Sequence, residues 1–257
     1  MRHLVAGMLT GIFLVVAVAA AFGDTAQSGT TEQSFDGSFT TGRAAKSAGF
    51  RISMASTDDT NTIGNRQPKR ITNFDITFPR GSKIDSPAAP QCRATDEDFA
   101  NADDPDDACP RGSKIGTGRA ALRAPIRGLR DFPGVITAYN APKGLLLFVN
   151  FESANQTWLL RPKFSGLRLR TTVPQACVPP ATPANDCAGQ GGRKQELTLV
   201  QLSLNTTRRS TRRRRGVRRL MRTPATCPSN SNWTFKTAFR YSDTTSVAIP
   251  TLSRCRR

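Results

Sequence analysis

An all-β fold is what this sequence predicts: an antiparallel β-sandwich of jelly-roll type, about nine or ten strands, bonded by disulfides. Three observations carry that expectation. Short segments of alternating apolar and polar residues recur along the chain, separated by turn residues. Almost no run shows the 3.6-residue period of an amphipathic helix. Six cysteines, Cys92, Cys109, Cys177, Cys187, Cys227 and Cys255, all follow an N-terminal stretch that reads as an export signal.

That stretch comes first in the chain. Met1, Arg2 and His3 precede an uncharged apolar run from Leu4 to Phe22, closed by small residues before Asp24. A basic start, an apolar middle and a small-residue exit describe a secretory signal peptide over 1–23. The run is nearly long enough to be an uncleaved anchor, but its glycines and alanines weaken it as a span. Residues 24–45, rich in Ser, Thr and Gly, read as a flexible N-terminal segment. A single β-sandwich domain is expected over 46–257, a length that one core can serve.

The strands follow in order. "FRISMAS" (50–56) is the first, and "ITNFDITF" (71–78) sets Phe74, Ile76 and Phe78 on one face. Then come "GVITAYN" (134–140), the nearly continuous "GLLLFVNF" (144–151), "QTWLLRPKF" (156–164) and "GLRLRTTV" (166–173), the last with Arg168 and Arg170 opposite its apolar face. "ELTLVQLSL" (196–204) changes phase, which predicts a bulge near Val200. "WTFKTAFRY" (233–241) places Trp233, Phe235, Phe239 and Tyr241 on one face, so these aromatics read as core. A short helix is expected in "TDEDFAN" with Thr95 as its cap. The hexapeptide "PRGSKI" occurs twice, at 79–84 and 110–115, with unrelated flanks, so it reads as one turn recipe used twice. Proline at i+1 and glycine at i+3 point to type I turns.

Six cysteines permit 15 connectivities. Neighbour pairing, Cys92 with Cys109, Cys177 with Cys187 and Cys227 with Cys255, is the simplest, since each pair brackets a loop or hairpin.

Further stretches carry a resemblance. "CPRGSKIGTGRA" (109–120), "MRTPATCPSNSNW" (221–233) and "YSD" (241–243) ahead of Cys255 are similar to a family of exported, cysteine-stapled β-sandwich proteins from high-GC soil actinobacteria. The resemblance covers residues 49–257 and implies a fold more than an activity, because its motifs are turns and cysteines. It brings no catalytic residues. The chain departs from the pattern at Thr244, where the family places glycine.

Charge and side-chain chemistry bound the function. There are 37 Lys and Arg against 19 Asp and Glu, a formal net charge of +18, and the only histidine is His3. Cleavage of the leader removes it, which excludes histidine bases, Ser-His-Asp and Cys-His catalysis from the mature chain. No metal or cofactor is expected. An arginine-rich loop at 207–222 carries Arg208, Arg209, Arg212, Arg213, Arg214, Arg215, Arg218, Arg219 and Arg222. Mutual repulsion and Gly216 argue against a helix there. Guanidinium forks suit phosphate and carboxylate groups, so anionic cell-envelope polymers or acidic polysaccharide are the expected partners. A solvated loop is the plainer alternative.

The acidic stretch between Cys92 and Cys109 lacks the spacing of a calcium loop and is expected to offset part of the arginine charge. The whole reads as a secreted, non-catalytic binding or structural module of the envelope or extracellular space. The alternative from another class is a carboxylate-dependent polysaccharide hydrolase, for which Glu152, Asp75 and Asp131 are the acids to name.

Overall fold

The computed structural model describes residues 24–58, 67–124, 130–178, 195–207, 209–213 and 216–256. The expected leader, Cys187, Arg208, Arg214 and Arg215 lie outside them.

The chain folds into strands almost throughout: β1 (Asp24–Ser28), β2 (Thr31–Phe39), β3 (Phe50–Asp58), β4 (Ile71–Thr77), β5 (Lys83–Ile84), β6 (Lys114–Ala124), β7 (Arg130–Ala141), β8 (Gly144–Phe151) and β9 (Gln156–Leu160). There follow β10 (Lys163–Ser165), β11 (Arg168–Thr172), β12 (Ala176–Val178), β13 (Gln195–Thr206), β14 (Ser210–Arg213), β15 (Gly216–Arg219), β16 (Met221–Arg222), β17 (Asn232–Tyr241) and β18 (Ser246–Arg254). The one described α-helix is α1 (Asp96–Ala100).

Fourteen strands form one antiparallel sheet with β1-β2-β3-β13-β6-β7-β8-β10-β11-β4-β17-β18 as its spine. The sheet coils until its ends face each other. Phe39 on β2 packs against the rings of Trp233 and Phe235 on β17 at 5.4 and 5.0 Å. Arg43 and Arg256 form a parallel bridge just beyond β2 and β18. The fold is therefore all-β and sandwich- or barrel-like, as expected, with more strands than the sequence showed.

One large core fills the interior, with Phe35, Phe74, Phe78, Leu122, Ile136, Phe235 and Phe239 all buried. A second, smaller cluster lies outside the sheet, where Cys92, Ala94, Phe99 and Cys109 pack on Tyr139 and Leu146. This explains the continuous apolar run of β8. Leu145, Leu147 and Val149 face the main core, while Leu146 and Phe148 meet the outer cluster. A strand covered on both faces cannot alternate.

Several expectations hold. The register of β13 against β6 shifts between Leu199 and Gln201, so Val200 is the bulge. Thr95 caps α1 in a capping box with Asp98. Trp233, Phe235, Phe239 and Tyr241 are buried together, and Trp158 is core as well.

Of the three expected disulfides, two are present, joining Cys92 to Cys109 and Cys227 to Cys255. The third differs in standing. Cys177 lies on β12, in backbone register with Glu196 on β13. Its expected partner Cys187 is outside the described residues, so the bridge between Cys177 and Cys187 is not among the described disulfides.

Three expectations are corrected. Residues 24–45 are no flexible segment, since β1 and β2 within that stretch are strands of the main sheet. The buried face of β2 is Thr31, Gln33, Phe35 and Phe39, and polarity hid its alternation. Gln33 is tolerated there because Nε2 donates to the Ala55 carbonyl at 2.9 Å and Oε1 accepts from Ser56 at 2.5 Å.

The PRGSKI turns are a single recipe, but not type I with proline at i+1. Ser82 N–H donates to Pro79 O and Ser113 N–H to Pro110 O, which puts proline at i and glycine at i+2. Gly81 and Gly112 have φ of 87° and 86°, the left-handed position a type II turn requires. Both serine hydroxyls donate to the same proline carbonyls, at 2.6 and 2.7 Å.

The arginine-rich segment is the third correction: its described part is a two-stranded hairpin, β14–β15, not a loop. The backbone register keeps the arginines out of direct pairing. Arg212 faces Val217, Arg213 faces Gly216, Arg218 faces Thr211 and Arg219 faces Ser210, so no two arginines stand directly opposite.

Candidate functional site

The strands β11, β4, β17 and β18 lie side by side, and their outward side chains can be read row by row from the register. One row is Arg168, Thr77, Lys236 and Pro250. The next is Arg170, Asp75, Ala238 and Ala248, and the third is Thr172, Asn73, Arg240 and Ser246. The inward residues between them, such as Leu169, Phe74, Ile76 and Phe239, are buried in the core and hold the backbone rigid.

The two alanines sink the middle row. An open groove of about 490 Å³ results, floored by Ala238 and Ala248 and walled by Arg168, Arg170, Lys236 and Arg240. Four cations therefore surround one carboxylate. Asp75 sits 3.8 Å from Arg168 and 3.7 Å from Arg170, ion pairs too long to be hydrogen bonds. Asn73 donates its amide to Thr172 Oγ1 at 3.0 Å, leaving its carbonyl oxygen as an acceptor. On the scale of small-ligand clefts, roughly 300–1,000 Å³, the groove is large enough for one or two rings.

In the sequence, Arg168 and Arg170 stand out as the polar face of one strand and Asp75 as one candidate acid. The sequence does not join them to Lys236 and Arg240, because the register between distant strands is not written in any single segment. The available signal was the small residue between cations in Lys236–Arg240, where a bulkier outward side chain would fill the groove.

The expected arginine site is more dispersed. Arg218 makes a bidentate pair with Asp85, its Nε 2.9 Å from Oδ2. Arg209 donates to the Lys114 carbonyl at 2.7 Å, and Arg222, on β16 beside β5, reaches the Ala45 carbonyl at 3.4 Å. Arg219 is half-buried. Arg212 and Arg213 lie on β14, while Arg208, Arg214 and Arg215 fall outside the described residues. Thus the described arginines serve partly to pin the hairpin to the body.

The pairs of the acidic stretch with described residues go to the body of the fold. Among the described residues its ion pairs are Asp106 with Lys114 at 2.7 Å and Asp96 with Arg161 at 2.6 Å. Asp106 also accepts the Tyr139 hydroxyl at 2.5 Å. Burial pushes the Asp106 carboxyl up, but the hydrogen bonds from Lys114 and Tyr139 outweigh it and hold the group below its ordinary value. Burial, with Asp106 beside it, raises the Tyr139 phenol. These are the chemistry of a pinned loop. No three His, Cys, Asp or Glu residues converge as metal ligands among the described residues.

The hydrolase acids are not brought together in a groove. Asp131 is held bidentate by Arg123 at 2.6 and 2.8 Å, Glu152 is exposed in a 3-10 turn after β8, and Asp75 is the lone acid of the cationic groove. A second concavity, about 620 Å³, lies between α1 and β9 and gathers Phe99, Phe148 and Trp158. Among the described residues its only carboxylate is Asp96. No described helix is long and apolar enough to cross a membrane. Comparison of the chain with models of protein families, with curated proteins and with solved structures finds no match.

Proposed function

We propose that the protein is an exported, non-catalytic module of the envelope or extracellular space that binds anionic polymers by charge. The leader-like N-terminus, the two disulfides and the net charge of +18 support that setting. The observation that carries the reading is the groove, where Arg168, Arg170, Lys236 and Arg240 wall a floor of small side chains on adjacent, core-anchored strands. A cationic array built on a sheet keeps its spacing without further ordering, so less binding energy is lost than on a loop. The arginine-rich segment adds to the same net positive charge.

The test is retention of purified protein on an immobilised anionic polymer across ionic strength. Each cation that neutralises a polymer charge contributes a log–log salt slope of about −0.7 to −0.9 on nucleic acid, and a related steepness is expected here. Replacing Arg168, Arg170, Lys236 and Arg240 together by Gln is expected to cut affinity at least tenfold with the fold intact by circular dichroism. Salt-independent retention, or a quadruple variant that binds like the parent, would overturn the reading.

A further inference from the structure

We infer that the groove's ligand is an acidic polysaccharide, a chain of sugars bearing carboxylates, rather than a phosphate polymer. This rests on the anionic-polymer reading and adds the class of ligand.

Three features of the groove discriminate. The first is Asp75. A carboxylate in the middle of a polyphosphate site would repel its ligand and find no donor on it. On a saccharide it meets hydroxyl groups, and its oxygens keep acceptor capacity because neither arginine lies within hydrogen-bond distance. The second is the backbone. Sites that cradle phosphate use free N–H groups at turns or helix N-termini. Here β4 and β17 are each paired on both sides, and β11 is paired with β4 and β10, so their ladders occupy those groups.

The third is the floor. Ala238 and Ala248 are cross-strand partners and form an apolar strip one ring wide. Lys236 and Arg240 flank it, each two residues along β17, or about 6.6 Å. A pyranose ring lying on the methyl groups has a cation on either side for its carboxylate. Its hydroxyls meet Asp75 and the Asn73 carbonyl oxygen, while Arg170 closes the end of the row.

The experiment is calorimetric titration of the purified protein with oligogalacturonate, with the same oligomer fully methyl-esterified, and with inorganic polyphosphate. Oligogalacturonate is expected to bind at least tenfold more tightly than either of the others. Asp75→Asn is expected to weaken oligogalacturonate about tenfold while strengthening polyphosphate. Ala238→Gln, which fills the floor at an exposed position, is expected to abolish the first and spare the second. Polyphosphate binding as tightly as oligogalacturonate, or Asp75→Asn strengthening both alike, would overturn the inference and leave the anionic-polymer reading standing. Binding of none of the three would overturn both.

Discussion

Thr244 has φ of 67°, in the left-handed region that β-branched residues rarely occupy. It follows a turn in which Thr244 N–H donates to Tyr241 O at 3.1 Å and Tyr241 N–H to Thr245 O at 3.0 Å. This is the three-residue hairpin loop whose last position prefers glycine. The left-handed conformation costs a residue with a Cβ about 1–2 kcal/mol, and glycine's greater unfolded freedom gives back part of that. Thr244→Gly is therefore expected to stabilise the protein by about 0.5–1 kcal/mol, read as a shift in the denaturant midpoint at constant slope. An unchanged or lower midpoint would mean that the hairpin tolerates threonine without strain. Threonine at 244 is plain in the sequence, but only the backbone angle shows its cost. Asn140 is the opposite case, a buried amide with no motif around it, whose Nδ2 donates to Ser86, Ala89 and Pro90 carbonyls and so shapes the segment leading to Cys92.

Between elements, a latch joins the two ends of the coiled sheet. Lys69 Nζ lies 2.7 Å from Asp243, in the β17–β18 turn, and 3.1 Å from Ser28 Oγ at the end of β1. Thr245 adds hydrogen bonds from its N–H and hydroxyl to the same carboxylate, at 3.1 and 2.6 Å. The hydrogen bond from Lys69, then that from Thr245, holds the Asp243 carboxyl down to about 2. A carboxyl lower in the folded state than its unfolded value, about 3.9, stabilises the fold above that value. The contribution fades as pH falls from about 4 towards 2. Asp243→Asn is accordingly expected to be less stable than the parent at pH 6, with the gap in melting temperature narrowing below about pH 4 and closing as pH falls through about 2. A gap that stays constant over that window would show that the carboxylate's charge is immaterial.

Elements also mark where legibility ends. Strands with apolar alternation, such as β4 and β17, stood out in the sequence, and so did the bulge at Val200. Strands β1 and β2 did not, because burial of Thr31 and Gln33 depends on partners on β3. The β14–β15 hairpin was hidden because repulsion and Gly216, which argue against a helix, were taken to leave only a loop, while pairing places Arg212, Arg213, Arg218 and Arg219 opposite neutral residues. Of the groove, Arg168, Arg170 and Asp75 were legible one strand at a time. Their assembly with Lys236 and Arg240 needed β4 to lie between β11 and β17, strands far apart in sequence.

At the scale of the whole molecule, the chain carries 37 cationic against 19 acidic side chains, and its described strands form a coiled sheet that brings its ends together. The described ion pairs are mostly at partly exposed positions, where each is worth about 0–1 kcal/mol. Pairing leaves the formal net charge at +18, and self-repulsion destabilises the compact state. The Debye length falls from about 30 Å at 0.01 M salt to about 3 Å at 1 M, so added salt screens the repulsion across the molecule before it screens contacts at 3 Å. The melting temperature is therefore expected to rise with sodium chloride between low and molar concentration. A bound polyanion does the same work locally and stabilises the folded state by mass action. With a saturating acidic oligosaccharide the low-salt melting temperature is expected to start higher, then approach the ligand-free curve as salt dissociates the complex. Melting curves that fall with salt in the ligand-free protein would show that pairs such as Lys69–Asp243 outweigh the net charge. Ligand and ligand-free curves that coincide at every ionic strength would show that the positive field has no polymeric counterpart.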